Sequence, residues 1–509
     1  MTDEKKTKTL TLKKRVIAPS VADTSSEPRK RSGARARAAA LMTREQQKQV
    51  ADTVTERQAP PSKGSKPARN PVARPIGLER SDHPRYGERT PRGSQTSGTR
   101  AERPTPYAAT ERSRRTDPAR TTRPANALFP VFTPCPQGLE EALCAELLAL
   151  GFEDTRPGRA GCHLITSWTG VLKLNLYSRL ATRVLVQVAH APVDIEDDIF
   201  DLAMDTPWEH WFGASHTLRV DTSAVRSPMQ SLQYCNLRVK DGICDRLRDR
   251  EGERPSIDTV RPDARVHLFL DETSATLYLD TSGESLFKRG WRLDKGEAPL
   301  RENLAAGLLA LSGWDPSQAL LDPFCGSGTL LIEAAWIALG VPPGVWRPFA
   351  FERLRNHDAR LWRDIKEDAR SRIATRIDCP LVGVDHDPAV IEAAQRNMER
   401  AWLTPDSIRF ETNDARAVMP PAERGWLVTN PPYGDRLSDV DPELWPEWAS
   451  HLKRHYAGWH VNVITSDLEL PGKMRLKPKR RFPLHNGALD CRLFSFEMVA
   501  SSYRDRSSS

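Results

Sequence analysis

The second part of the chain alternates short apolar runs with helical stretches. Between about residues 297 and 500, the apolar runs have the length of strands, and the segments between them have helical periodicity. The runs are QALLDPF, PLVGVD, IRFETND, GWLVTNPP and HVNVITSD, and the helical segments include GTLLIEAAWIALG and PAVIEAAQRNMERA. Because this alternation folds into a doubly wound, largely parallel sheet, we expect an α/β domain over residues 297–500.

A glycine-rich turn follows the first of these strands. Asp322 ends the strand, and Gly326 and Gly328 allow a tight turn and the close approach of a ligand to the backbone. The turn lacks the lysine of a phosphate-binding P-loop and does not have the dinucleotide spacing G-x-G-x-x-G. A carboxylate at this position suits a cationic ligand group, such as the amino group of methionine. A purely structural glycine turn is the alternative.

Two further strands end in polar residues. Asp385 ends the strand PLVGVD and is placed to accept hydrogen bonds from ribose hydroxyls, whereas Asp387 suits the N-cap of the helix that follows. Asn413 and Asp414 end the next strand and could hold an adenine edge. The segment 340–378 separates the glycine turn from Asp385, so we interpret it as an insertion.

The segment TNPPYGDRL is the most specific signal in the chain. Asn430 follows an apolar strand, and Pro431 and Pro432 fix the turn while lacking backbone donors. The amide oxygen of Asn430 and the carbonyl of Pro431 can therefore accept both hydrogens of an exocyclic amine. Tyr433 can stack on an unstacked base. The pattern predicts methyl transfer to a base amine, and a proline-stiffened surface turn is the alternative.

Two smaller units precede this domain. Residues 127–192 have a β-α-β-α-β pattern, and residues 193–292 contain two helices, a strand and a hairpin. The second unit and its exit carry a group of basic residues that we consider candidates for RNA binding. These candidates are Arg238, Lys240, Lys288, Arg289 and Arg292, and a solvated helix face is the alternative.

The basic charge of the chain lies in its first segment. Residues 1–126 contain 29 Lys and Arg against 13 Asp and Glu, whereas the remainder has a net charge of −8. This segment is poor in apolar residues, so we expect a disordered tail that helps to hold a polyanion. A solubilising extension is the alternative.

Cysteine spacing and hydropathy indicate the compartment. The eight cysteines form no C-x-x-C pair and have no zinc-ligand spacing, so we expect reduced thiols and no metal. No apolar run approaches the length of a membrane span, and the N-terminus lacks the apolar core of a signal peptide. We expect a cytoplasmic protein with no membrane partner.

Taken together, these motifs resemble the bacterial THUMP-domain family of 23S rRNA guanine-N2 methyltransferases, the L type of large-subunit methyltransferase. The similar stretches lie between about residues 128 and 500. They are SLQYCNLRVKDGICD, RPDARVHLFL, LDTSGESLFKRGWR, APLRENLAAGLLALSGW, LLDPFCGSGTLLIEAA and TNPPYGDRL. The long basic tail is not part of the family pattern. Some members have a second methyltransferase domain after the first, and we expect this chain to carry the guanine-N2 half alone.

The resemblance implies a fold, a cofactor and a partner. The implied fold is a ferredoxin-like segment (127–192), a THUMP RNA-binding domain (193–292) and a Rossmann-like methyltransferase domain (297–500). The implied cofactor is S-adenosyl-L-methionine, and the implied partner is 23S rRNA or a large-subunit precursor. The resemblance assigns target-amine residues Asn430, Pro431, Pro432 and Tyr433, and cofactor residues Asp322, Pro323, Cys325, Gly326, Gly328, Asp385, Asn413 and Asp414.

Two other functions are compatible with these motifs. A tRNA guanine-N2 methyltransferase can share both domains, so the RNA substrate stays open. A non-catalytic RNA-binding assembly factor is the alternative from another class, although the intact Asp322, Gly326 and Asn430 weigh against it. DNA adenine and protein glutamine methyltransferases share the N-P-P-Y motif, but the THUMP-like half argues against both.

The charge distribution generates a prediction about the tail. Deleting residues 1–120 should weaken RNA affinity and flatten its dependence on salt, because fewer counterions are released on binding. S-adenosylmethionine affinity should stay unchanged. The measurement is RNA binding by fluorescence anisotropy over a salt series, and an unchanged salt slope would contradict the assignment of the tail to RNA.

Overall fold

A computed structural model describes residues 127–294, 300–432, 441 and 443–499. The predicted disordered tail, residues 1–126, lies outside the described residues.

The N-terminal half of the described chain is built on one mixed sheet of eight strands. The strands are β1 (Leu128–Pro134), β2 (Arg156–Gly158), β3 (Gly161–Ser167), β4 (Leu185–Pro192), β5 (Thr217–Ala224), β6 (Ser256–Ile257), β7 (Ala264–Leu270) and β8 (Ser274–Asp280). Their order across the sheet is β2-β3-β1-β4-β8-β7-β5-β6. The sheet therefore runs through both predicted units, because β8 returns to pair with β4.

Four helices pack on one face of this sheet. They are α1 (Glu140–Ala149), α2 (Trp168–Tyr177), α3 (Glu196–Asp205) and α4 (Leu232–Glu251). The inward side chains of alternate strand positions, such as Val131, Val186 and Leu268, join one apolar core with side chains of these helices. Burial of that apolar surface stabilises the layered arrangement.

Local signals set the ends of α4. The hydroxyl of Ser231 accepts a hydrogen bond from the Tyr234 amide at 3.2 Å, which satisfies one free donor of the first turn. Gly252 ends the helix with a φ of +89°, a conformation that favours glycine. The predicted helix is confirmed.

The C-terminal half is a seven-stranded doubly wound sheet, as predicted. The strands are β9 (Ala319–Asp322), β10 (Leu381–Asp385), β11 (Arg409–Thr412), β12 (Gly425–Thr429), β13 (Trp459–Thr465), β14 (Arg480–Asn486) and β15 (Leu489–Glu497). Their order is β11-β10-β9-β12-β13-β15-β14, and the first five are parallel. The antiparallel hairpin β14–β15 completes the sheet, and the sequence pattern does not identify it.

Helices flank this second sheet. They are α5 (Glu302–Ser312), α6 (Thr329–Ala338), α7 (Ala359–Ser371), α8 (Pro388–Arg400), α9 (Leu444–His455) and α10 (Leu470–Lys473). Helix α7 lies in the predicted insertion 340–378. None of the helices in the described part of the chain is long and apolar enough to cross a lipid bilayer.

Buried ion pairs join the two halves. The Arg289 guanidinium, whose side chain is 1% exposed, lies 3.2 Å from a carboxylate oxygen of Glu333 on α6 and donates to the Arg179 carbonyl at 2.7 Å. Arg179 also lies 3.6 Å from Glu333, and Arg292 pairs with Glu302 of α5 at 3.0 Å. Because breaking a buried pair leaves an uncompensated charge, these contacts fix how the halves pack.

The insertion forms a second connection. Arg355 lies in it and donates to the Glu251 carboxylate of α4 at 3.0 Å, and its backbone amide donates to the Trp211 carbonyl at 2.8 Å. The insertion therefore contacts the half that contains the eight-stranded sheet.

The buried pair generates a prediction about stability. Arg289→Met should reduce the apparent free energy of unfolding by about 3–5 kcal/mol, because the Glu333 carboxylate loses its closest cation in the interior. Lys288→Met is the matched control, since Lys288 is exposed and pairs with the exposed Glu284, and it should change stability by about 0–1 kcal/mol. Urea unfolding measures both variants, and equal losses would show that the buried pair has no special role.

Candidate active site

The candidate site lies where the parallel strands end. In the order β10-β9-β12, the chain direction of the connections reverses between β9 and β12, and ligands of such sheets bind outside this switch point. Asp322 ends β9, and Asn430 follows β12 directly. The Thr429 hydroxyl donates to Asp322 Oδ1 at 2.6 Å, so the two strand ends are in direct contact.

Asp322 is a buried carboxylate. It is 3% exposed and accepts hydrogen bonds from the Thr429 hydroxyl and the Phe324 amide. Burial, together with the negative charge of Asp385, raises the pKa of Asp322 to about 7, although these hydrogen bonds act in the opposite direction. Among the described residues no cation pairs with Asp322, so a cationic ligand group would supply the missing partner.

The glycine turn is held open by backbone conformation. Gly326 and Gly328 have φ values of +53° and +78°, and the Gly326 amide donates to Asp385 Oδ2 at 3.1 Å. A Cβ at Gly328 would lie 2.9 Å from the Phe410 ring, whereas a Cβ at Gly326 would meet no described atom within 4 Å. Glycine at 328 is therefore required by packing, and Gly326 borders open space that a ligand can occupy.

Pro323 and Cys325 support the turn from within. Both are buried, and the Cys325 amide donates to the Val384 carbonyl at 2.9 Å. Burial raises the pKa of the Cys325 thiol, so the neutral form is favoured. Phe324 packs edge-on against Trp448 of α9, with ring centroids 5.3 Å apart. The structure supports a positioning role for Pro323 and Cys325, and their predicted contact with a cofactor stays a prediction.

Asp385 binds the surrounding backbone. One of its oxygens accepts from the Gly326 amide and the other accepts from the Asp387 amide at 3.1 Å. Asp387 in turn caps α8, since its carboxylate accepts from the Ala389 amide at 2.8 Å. The N-cap interpretation of Asp387 is confirmed, and Asp385 lies between the turn and the start of α8, where a ribose would lie.

Asn413 and Asp414 lie next to Asp385 but are engaged locally. The Asn413 amide donates to the Asp385 carbonyl at 3.0 Å, and its side-chain oxygen accepts from the Asp414 amide at 2.8 Å. Arg416 binds the Asp414 carboxylate at 2.6 Å and holds the pKa of that carboxyl below its usual range. The sequence interpretation missed this arginine, which occupies acceptors of Asp414 that were predicted to hold an adenine edge.

Asn430 carries an unused acceptor. Its Oδ1 is buried and has no hydrogen-bond partner among the described residues, although buried polar atoms are normally paired. Pro431 is buried and Pro432 is partly exposed. Tyr433, the predicted stacking residue, lies outside the described residues. Within the described residues, this oxygen is left available to accept a hydrogen bond.

Asn397 is a second residue that the sequence interpretation missed. It is fully buried on α8, and its amide nitrogen donates to the Asp294 carbonyl at 3.0 Å and to the Ser327 carbonyl at 3.2 Å. It thereby ties the exit of the N-terminal half to the glycine turn. An asparagine inside a polar helical segment gives no sequence signal for such a role.

The structure corrects two predicted RNA contacts. Arg289 is buried against Glu333, and the Arg292 side chain is 8% exposed and paired with Glu302, so the prediction that they bind RNA is wrong. A linear run of basic residues does not reveal which of them face a carboxylate in the interior.

The other three predicted RNA contacts remain partly or fully accessible. Arg238 pairs with Asp197 and lies over the Phe200 ring, and Lys240 pairs with Asp241. Lys288 is exposed beside Glu284. Their role in RNA binding stays a prediction.

Three domain families match the chain. The RlmL ferredoxin-like domain matches residues 130–185, the THUMP domain residues 194–280, and the RMKL-like methyltransferase domain residues 289–495. These are the families that the sequence motifs resemble, and the predicted fold class is confirmed for the described part of the chain.

Curated relatives include two bacterial proteins called ribosomal RNA large subunit methyltransferase K/L. The protein from Syntrophotalea carbinolica is 39% identical over 73% of this chain and 54% of its own length. The protein from Methylococcus capsulatus is 38% identical over 73% of this chain and 52% of its own length. The chain therefore spans about half the length of these relatives.

Solved structures match over nearly the whole of their own chains. A possible methylase from Clostridium difficile 630 is 30% identical with a TM-score of 0.68, and the match covers 74% of this chain and 100% of that one. SMU.472, crystallised in complex with SAH, is 26% identical with a TM-score of 0.67 over 74% and 99% of the two chains. The chain belongs to the family of RMKL-like methyltransferases that carry an RlmL ferredoxin-like domain and a THUMP domain.

Proposed function

We propose that the protein transfers a methyl group from S-adenosyl-L-methionine to the exocyclic N2 amine of a guanine in 23S rRNA. The single observation that carries the proposal is the buried, unpartnered Oδ1 of Asn430 at the switch point of the sheet. An amine hydrogen of a base would supply the donor that this oxygen lacks. The names of the curated relatives support ribosomal RNA as the substrate.

The strand ends fit the cofactor in three places. The buried carboxylate of Asp322 lacks a cation and suits the amino group of the methionine part. The open space beside Gly326 admits a ligand close to the backbone. The Asp385 carboxylate suits ribose hydroxyls, since each oxygen retains acceptor capacity beyond its backbone hydrogen bond. When bound, S-adenosylmethionine supplies an electrophilic methyl group on a sulfonium.

The chain's own residues would orient the amine. The side-chain oxygen of Asn430 and the carbonyl of Pro431 accept its two hydrogens, which directs the nitrogen lone pair away from them. Proline at 431 and 432 removes backbone donors that would compete for these acceptors. Holding two reactants in line is the main source of acceleration for such a transfer, so no strong base is needed. A target base must be unstacked to reach this position.

The THUMP and ferredoxin-like domains would hold the RNA while the catalytic domain takes the base. Since ribosomal RNA is made in the bacterial cytoplasm, we place the protein there. A tRNA substrate would use the same chemistry, and nucleoside analysis of the separated RNAs distinguishes the two.

The role of Asp322 predicts that the affinity for S-adenosylmethionine depends on pH. Because the pKa of Asp322 is about 7 in the free protein, its carboxylate is increasingly protonated below neutral pH and then cannot pair with an ammonium group. The dissociation constant for S-adenosylmethionine should therefore rise about tenfold from pH 8 to pH 6. Isothermal titration calorimetry at several pH values measures it.

Two variants identify the titrating group. Asp322→Asn should bind weakly and without this pH dependence. His386 is the ionisable side chain next to Asp385, 3.3 Å away, so His386→Asn is the control and should retain the wild-type profile. A flat wild-type profile, or a profile abolished by His386→Asn, would contradict the role of Asp322.

Asn430 gives the proposal its test in cells. Nucleoside mass spectrometry on separated 23S, 16S and tRNA should show loss of one N2-methylguanosine from 23S rRNA when the gene is deleted. The wild-type gene should restore it, and Asn430→Ala should not.

In vitro, Asn430→Ala should lower methyl transfer by about 100-fold or more while S-adenosylmethionine affinity is kept, because the amine loses its alignment. Asn356→Ala, on an exposed turn of the insertion, is the matched control and should be fully active.

Each outcome assigns the function differently. Loss of the modification from tRNA would keep the chemistry and replace the substrate. No loss from any RNA, together with failure to bind S-adenosylmethionine, would overturn the proposal in favour of a non-catalytic RNA-binding assembly factor.

A further inference from the structure

The outer edge of the catalytic sheet carries a run of positive charge. Residues 470–489, which extend from α10 through β14, contain six Lys and Arg and no Asp or Glu, although residues 127–509 as a whole have a net charge of −8. All six cationic side chains are exposed. We call them the basic edge, and they are Lys473, Arg475, Lys477, Lys479, Arg480 and Arg481.

Most of the basic edge has no carboxylate partner. Lys473 pairs with Asp467 at 2.6 Å, and Lys479 pairs with Glu497, which also interacts electrostatically with Arg480. In the described part of the chain no ion pair holds the other four cations, which are Arg475, Lys477, Arg480 and Arg481. The basic edge therefore keeps positive charge that a polyanion can bind.

Arg481 is positioned without the use of its donors. Its guanidinium lies 5.7 Å from the ring centroid of the buried Phe494, on the neighbouring strand β15. Such a contact uses the flat face of the guanidinium, whereas hydrogen bonds to a phosphate use the N–H groups at its rim. The two interactions are therefore compatible in one side chain.

Arg475 adopts a backbone conformation that favours glycine. It follows the end of α10 with a φ of +48°. The amides of Arg475 and Leu476 donate back to carbonyls of α10 at 3.1 and 3.0 Å, which forms a Schellman motif, and the left-handed position of that motif is usually glycine. Lys453 of α9 holds the turn, since its ammonium donates to the Met474 and Arg475 carbonyls at 3.2 Å. An exposed arginine thus occupies a strained position, as is typical of functional surfaces.

The basic edge lies within reach of the candidate active site. The sheet order places β13, β15 and β14 after β12, so three strand spacings of about 4.8 Å, or about 14 Å, separate β14 from β12. Arg480, Ser495, Asn462 and Val428 pair in a line across these strands, two residues before Asn430. Since phosphates recur about every 3.4 Å along a strand of a nucleic-acid helix, an RNA in the active site reaches the basic edge within a few nucleotides.

We propose that the basic edge binds the sugar-phosphate backbone of the RNA beside the nucleotide that is methylated, with Arg475, Lys477, Arg480 and Arg481 as the phosphate contacts. This inference rests on the proposed function. It adds a contact on the catalytic half to the two N-terminal domains that would hold the RNA. Residues 473–481 contain no aromatic side chain for stacking, so the contact is made to phosphates and does not depend on base sequence.

The chemistry of the segment disfavours two other occupants. Residues 1–126 contain 29 Lys and Arg against 13 Asp and Glu, so the basic edge repels them. An anionic membrane would gain little, because Met474 is buried and Leu476 is partly buried, and residues 473–481 expose no apolar side chain for insertion.

The first test measures the phosphate contacts. The full chain is titrated into a fluorescein-labelled RNA hairpin over a salt series, and binding is followed by fluorescence anisotropy. Arg480→Gln combined with Arg481→Gln should weaken binding about tenfold and lower the salt slope by about 0.7–0.9 for each lost phosphate contact. A hairpin with a scrambled stem of the same length should lose affinity by the same factor.

A matched control removes the same charge elsewhere in the catalytic half. Arg360→Gln combined with Arg363→Gln replaces two exposed arginines of α7 that have no ion pair in the described part of the chain. This variant should bind the hairpin with wild-type affinity and salt slope. Every variant should keep wild-type affinity for S-adenosylmethionine, which shows that the catalytic domain is folded.

A second variant separates binding from folding. Arg475→Gly removes the side chain and relieves the left-handed conformation, so the urea midpoint should be at or above that of wild type. RNA affinity should nevertheless fall about threefold, with a smaller salt slope. In methyl-transfer assays the KM for RNA should rise while kcat is unchanged, because the contact is uniform to substrate and transition state.

The outcomes distinguish this inference from the function on which it rests. If the basic-edge variants bind the hairpin like wild type while the wild-type chain methylates RNA, the inference is overturned and the function stands. If the α7 control loses as much affinity as the basic-edge variant, the effect comes from net charge alone and the inference is also overturned. If the wild-type chain binds no RNA, both fail.

Discussion

The buried pair between Arg289 and Glu333 sets the relation between the two halves of the protein. Glu333 lies on α6, the same helix whose first turn follows the glycine turn, so the contact that positions the N-terminal half also bears on the candidate active site. An ion pair in the interior gains little net stability but strongly disfavours arrangements that leave one charge unpaired. The pair adds an electrostatic requirement to the apolar core that the two halves share.

A second electrostatic feature of the interior, at the end of β9, disfavours a charge instead of pairing it. Asp322 is buried without a cation among the described residues, and its raised pKa shows that the fold disfavours its charged form. The Thr429 hydroxyl offsets part of that cost with a hydrogen bond. Local destabilisation of this kind is typical of a binding site, since the interaction missing in the free protein is provided by the ligand. Asp322 ends β9, and Glu333, the partner of Arg289, lies on α6 after the glycine turn. The buried ion pair and the carboxylate without a cation therefore lie on one strand–turn–helix unit.

The sequence predicted those parts of the site that local order determines. Asp322, Asp385 and Asn430 each end a strand, and parallel strands bring such ends to one edge of the sheet. The predictions failed where non-local packing decides. The basic run at 288–292 gave no indication that Arg289 meets a carboxylate 44 residues later. The pairing of β4 with β8, separated by some eighty residues, likewise has no local signature, so the two predicted units were not expected to share a sheet.

That shared sheet joins the two N-terminal domains into one layer with four helices on it. Positive charges on α4 suggest a helical RNA surface, but Arg238 and Lys240 face carboxylates of their own half, and α3 is rich in acid. Because β4 pairs with β8, the strands of the ferredoxin-like segment and of the THUMP domain form one hydrogen-bonded sheet. The ferredoxin-like segment is therefore part of the same structural layer as the THUMP domain, and not only a spacer before it.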